Sequence, residues 1–97
     1  MKIAFITNHL GQTGVNNVIL DLVNLFLENG HQCYVYYLKT TESPMSFPCD
    51  TKSIDNNISQ YDIIHAHGLG PMLWVMRNKK KIKSKNIPTP KFVTTLH

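Results

Sequence analysis

Apolar residues fall into two periods along this chain, and their alternation predicts its elements. Lys2–Thr7 carries Ile3, Ala4, Phe5 and Ile6 in an unbroken run, the pattern of a strand covered on both faces. Between Gly14 and Asn29 the period lengthens: Val15, Val18, Ile19, Leu22, Val23 and Phe26 recur at helical spacing and predict an amphipathic helix lying on a sheet. Asn16, Asn17, Asp21, Asn24 and Glu28 mark its wet side, and Gly30 suits the left-handed position that ends a helix. Gln32–Leu38 (QCYVYYL) is rich in β-branched and aromatic residues. Residues 2–38 therefore predict one β-α-β unit with parallel strands and a right-handed crossover.

The next stretch is loop by composition, with Pro44 and Pro48 in TTESPMSFP. Thr51–Ile54 predicts a short edge strand and Asp55–Gln60 a turn or two of helix. Asp62–Ile64 reads as a buried strand leading into HAHG, residues 65–68. Gly70 then suits an N-cap and Pro71 a first helical position. Met72, Val75, Met76 and Ile82 give this second helix an inner face. It ends in RNKKKIKSK, which Pro88 and Pro90 prevent from continuing. Lys91–Leu96 is a last strand. The pattern predicts a single α/β domain over residues 1–97, an open parallel Rossmann-like sheet ordered 3-2-1-4-5.

Such sheets bind ligands beyond the carboxyl ends of their strands, where the strand order reverses. Residues 8–14, 65–70 and His97 occupy those ends, so polar, small and imidazole side chains converge from three strands. Gly11 and Gly14, spaced GxxG between a strand and a helix, place backbone N–H groups where an anion or a sugar hydroxyl fits. The alternative is that both glycines only supply positive φ in a tight turn. The spacing is neither the dinucleotide GxGxxG nor a phosphate-cradling GxxxxGK[ST], so no nicotinamide cofactor and no ATP is expected. His65 and His67 alternate along a strand and share a side, the spacing of a metal pair whose third ligand would be His9 or His97. A lone histidine such as His31 reads as structural.

Composition narrows the class. The chain has 97 residues, too few for a second domain, with 42% hydrophobic and 16% charged residues. The opening apolar run is shorter than a signal-peptide core, and no run approaches the ~18 residues of a membrane span. A cytoplasmic protein with Cys33 and Cys49 as reduced thiols is expected. Six cations lie between Arg77 and Lys85 in a chain of net charge +4. They read as a solvated helix end or as a peripheral contact with an anionic membrane at its inner face. The stretch lacks interleaved aromatics and any nucleic-acid-binding signature, so no nucleic acid partner is expected.

Three segments in order, residues 1–38, YDIIHAHGLGP and KFVTTLH, resemble the N-terminal domain of glycosyltransferase family four, retaining enzymes of the two-domain GT-B architecture. The likeness spans the chain except roughly residues 40–60. In that family the glycine turn after the first strand lies over the cleft near the donor phosphates. The family pattern has adjacent glycines; here the segment is Gly11-Gln12-Thr13-Gly14-Val15, and Gly14 is the better match. The resemblance implies His97 as the catalytic position contacting the transferred sugar. It implies Gly11, Gly14, His65, His67 and Gly68 as substrate-binding positions, and no metal. It further implies a nucleotide-sugar donor, a glycan or lipid-linked acceptor, and a C-terminal glycosyltransferase domain holding most of the donor site. The chain alone is then expected to be inactive. A different class of function, a non-catalytic interaction module attaching to anionic surfaces through residues 77–85, stands as the alternative.

Overall fold

The computed structural model describes residues 1–55, 58, 60–85 and 89–97. Five strands form one parallel sheet: β1 (Lys2–Thr7), β2 (Gln32–Tyr37), β3 (Asp50–Ser53), β4 (Ile63–His67) and β5 (Lys91–Thr95). Their order is β3-β2-β1-β4-β5, as the pattern predicts. Helix α1 (Gly14–Glu28) connects β1 to β2, and α2 (Leu69–Lys85) connects β4 to β5. The predicted helical turns over Asp55–Gln60 and the stop at Pro88 include positions outside the described residues.

The unbroken apolar run of β1 follows from its central place, because its alternate side chains serve two cores. Ile3 and Phe5 pack with Cys33 and Val35 of β2 and with Ile19 and Val23 of α1. Ala4 and Ile6 face the other way, toward Tyr36, Ile64, Ala66 and the α2 residues Val75 and Ile82. Full burial of Phe5 or Ile6 contributes about 1.5–3 kcal/mol each. On the α2 side the hydroxyls of Tyr36 and Tyr61 satisfy each other at 2.7 Å.

Helix α1 is bounded by side chain and glycine. Thr13 accepts the Asn16 N–H at 3.1 Å as N-cap. At the other end Gly30 sits at φ 83°, with its N–H reaching Leu27 O and the His31 N–H reaching Phe26 O, a Schellman closure that only glycine makes without strain. His31 has a structural setting, against the Phe26 ring and within 3.2 Å of the N-terminal amine.

Four expectations need correction. The inner stripe of α1 runs through Asn16, Ile19 and Val23, and Val18 is 41% exposed, so the buried face is turned away from Val18 and Asn16 is not on the wet side. Strand β4 does not stop at Ile64 but runs on through His65, Ala66 and His67, because it pairs with β5 as far as His67 opposite Thr95. Helix α2 begins at Leu69, before Pro71; the Met72 N–H returns to Gly68 O at 3.1 Å, which puts Gly68 in the capping place expected of Gly70. Met76 lies outside on α2, 65% exposed, while Val75 and Ile82 are buried.

Candidate functional site

The strand order reverses between β1 and β4, and a cleft of about 280 Å³ opens there between the turns that follow these two strands. Asn8, His9 and Thr13 form one wall, Leu69, Gly70 and Pro71 the other, and Asn16 and His67 lie between. Helices α1 and α2 both start at this cleft. Their first-turn amides, such as those of Gly14 and Val15, have no carbonyl within the helix to reach, and both positive dipole ends meet at one place. Among the described residues, no Asp or Glu lines it.

The first wall is held from beneath by Asn16. Its Nδ2 donates to the carbonyls of His9 at 2.7 Å and Gly11 at 2.6 Å, while its Oδ1 accepts the Thr7 hydroxyl at 2.7 Å. One buried amide thus ties the end of β1, the turn and the first turn of α1 together. Gly11 closes the same turn, its N–H donating to His9 Nδ1 at 2.9 Å; a Cβ there would meet that nitrogen at 2.9 Å, so the His9 ring would have to move to admit one. Gly14 is different. It begins α1, is exposed, and a Cβ would meet nothing within 4 Å. Neither glycine has a positive φ, so the reading that both merely supply one does not hold.

The second wall rests on a column of histidines. His65 and His67 project from one side of β4, both against the Phe5 ring, with their own ring centroids 4.0 Å apart. His65 Nε2 lies 2.8 Å from Thr95 Oγ1, which ties β4 to β5. His67 Nδ1 lies 3.1 Å from His97 Nε2, and these rings stack at 5.3 Å. The other nitrogen of His67, Nε2, is buried and has no hydrogen-bond partner among the described residues. Burial, reinforced by the neighbouring His65 and His97, pushes the His67 imidazole down to about 3. His65 is also lowered, by burial first and then by His97. Both rings are therefore neutral at neutral pH, and His67 presents an uncharged, buried imidazole at the cleft.

Gly68 follows with φ 96°, its N–H donating to Thr95 O at 2.8 Å. Gly68→Ala should lower stability by roughly 1–2 kcal/mol, since a Cβ is disfavoured in this region. Gly70→Ala, where the nearest contact for a Cβ is an ordinary 3.5 Å to Asn8 Oδ1, should cost clearly less in the same urea titration.

Of the residues singled out from sequence, His67 and Gly68 line the cleft and Gly14 lies between lining residues Thr13 and Val15. His97 joins through His67. His65 and Gly11 sit behind the surface, the first bonded to β5 and the second to His9 and Asn16. Asp62 lies at the opposite edge, accepting the Lys2 N–H at 2.7 Å. Sequence reasoning missed Asn16, though a signal existed: it precedes Ile19 and Val23 at i−3 and i−7, on the buried stripe. Among the described residues no group of three or more His, Cys, Asp or Glu is arranged to hold a metal ion. No helix among them is long and apolar enough to cross a membrane. Compared with known proteins, the chain matches no family model, no curated protein and no solved structure.

Proposed function

We propose that this chain forms the acceptor-side wall of a sugar-transfer site, the N-terminal half of a retaining glycosyltransferase that moves a sugar from a nucleotide-sugar donor to a glycan or lipid-linked acceptor. The observation that carries the reading is the cleft at the strand-order reversal, where two helix N-termini meet over a neutral, buried His67 backed by His97. In sugar transfer the bond between the anomeric carbon and the diphosphate breaks, the acceptor oxygen takes its place, and negative charge gathers on the departing phosphate. Helix-end amides answer that charge without cost of reorganisation, and a lining free of carboxylates does not oppose it. Glycine at position 14 leaves open space at the helix end, which suits close approach of a phosphate to the backbone. His97, exposed beside His67, supplies a ring nitrogen for the transferred sugar. A second domain, implied by the family resemblance, would close the cleft, exclude water and add the remaining diphosphate contacts.

Titration of a panel of nucleotide sugars into the isotope-labelled chain tests the binding part. The expected result is amide shifts confined to Gly14, Val15, Leu69 and Gly70, with ring shifts at His67 and His97. Assays with and without a C-terminal glycosyltransferase domain added in trans test the chemistry. Turnover should need the second domain, because losing even one preorganised donor costs ~2.7–4 kcal/mol, and His97→Ala should abolish it. Shifts at the opposite edge, around Gly30 and Asp62, would remove the proposal.

A further inference from the structure

The outer face of α2 has a composition that neither the core nor the cleft explains. The helix lies on the sheet through Pro71, Val75 and Ile82. On the opposite side Leu69, Leu73, Met76 and Lys80 follow one another at i, i+4, i+7 and i+11. The three apolar members are 60%, 36% and 65% exposed, and Arg77 and Lys80 are exposed beside them. One stripe is thus apolar over its first two turns and cationic beyond. Helix α1 makes the contrast: Val18 and Leu25 are exposed there as well, but Asp21 stands between them and Glu28 follows.

Charge is segregated in the same way. Six of the chain's ten Lys and Arg lie in α2 and none of its six Asp and Glu, so the helix carries six positive charges and the remainder a net two negative. A solvated helix end accounts for the cations, but it gives no reason to leave Leu69 and Met76 in water. A nucleic acid accounts for the cations equally well and gains little from the apolar residues. An anionic bilayer uses both, because apolar side chains enter the acyl boundary while cations a turn away stay among the phosphates.

We infer that the outer face of α2 is a docking surface for an anionic lipid bilayer, with Leu69, Leu73 and Met76 dipping below the headgroups and Arg77 and Lys80 pairing with lipid phosphate. Leu69 also lines the cleft, so docking sets the cleft mouth at the lipid surface. The surface does not depend on the sugar-transfer reading, and its test contains no sugar.

The test is flotation of the 97-residue chain with vesicles of phosphatidylcholine alone and of equimolar phosphatidylcholine and phosphatidylglycerol. The chain should float with the anionic vesicles, stay behind with the neutral ones, and be released by high salt. Arg77→Gln with Lys80→Gln should weaken partitioning about five-fold per charge removed. Leu69→Ser with Met76→Ser, which leaves every charge in place, should weaken it about ten-fold or more. Circular dichroism of both double variants should match the parent, as these side chains lie outside the core. Failure of the parent to float would overturn the inference. So would flotation undiminished by the serine pair, and strong retention of an RNA oligomer by that same pair would assign the surface to nucleic acid instead.

Discussion

Asn16→Ala should remove on the order of 3–5 kcal/mol of folding stability, a large share of the ~5–15 kcal/mol typical of a native domain. The side chain is 1% exposed and serves three partners, the Thr7 hydroxyl and the carbonyls of His9 and Gly11. Deleting it takes a partner from all three, at about 1–3 kcal/mol for each buried group left unpaired, and leaves the Thr7 hydroxyl and the His9 carbonyl only their longer 3.3 Å bond to each other. The two carbonyls lie in part-buried bonds beside the cleft, so water reaches them and the total falls below the sum of three full penalties. Leucine fills a similar volume and should do no better, because the loss is polar. Aspartate keeps an acceptor for Thr7 but turns a carboxylate oxygen toward two carbonyls, and should be at least as damaging. The control is one residue away. Asn17 is exposed and bonds Gln12 at 2.7 Å, so Asn17→Ala should stay within about 0.5 kcal/mol of the parent. Urea denaturation of the two variants decides the matter: equal midpoints would mean that the buried amide does not hold the turn.

Acid should destabilise the fold from about pH 6.5 downward, well before most proteins lose stability to carboxylate protonation. His67 has an ordinary value of 6.5 in the unfolded chain and is driven to about 3 in the fold, by burial first and then by His65 and His97. The unfolded state therefore binds more protons throughout that window, so stability rises with pH across it. It is complete above 6.5 and is lost as pH falls toward 3. For His67 alone the loss between pH 6.5 and 5 should be roughly 2 kcal/mol, since each pH unit inside the window is worth about 1.4. His65, lowered by burial and by His97, adds to it in the same direction. His67→Leu replaces the buried imidazole with an apolar group and should flatten this part of the curve. Thermal unfolding at closely spaced pH values, with the His67 ring followed by NMR, makes the comparison. A His67 resonance titrating near 6.5 in the native protein, or a slope unchanged in His67→Leu, would defeat the prediction.

Both predictions concern residues whose roles the linear pattern conceals. Asn16 is a polar residue followed by another, Asn17, and a helical wheel centred on the valines places it outside. What buries it is the return of the turn between β1 and α1 over the helix start, which presents two carbonyls and a hydroxyl to a single amide. His67 and His97 are 30 residues apart and meet only because β4 and β5 pair in parallel and end together.

The sequence by itself determined the sheet. The two-sided apolar run of β1, the helical period ending at Gly30 and the return of apolar residues in QCYVYY suffice for a right-handed β-α-β unit. A second strand-helix-strand set after Tyr61 then falls on the other side of β1, which yields the order β3-β2-β1-β4-β5. These signals are local, since periodicity records which faces are dry and a crossover has one favoured hand. Tertiary structure alone decided that β4 runs on to His67, that Gly11 is closed by His9 while Gly14 stands open, and that Met76 faces outward beside Arg77 and Lys80. Each of these depends on what a distant segment places beside the residue, and pairing register, orphaned polar atoms and an unpartnered face come into being only when the elements assemble.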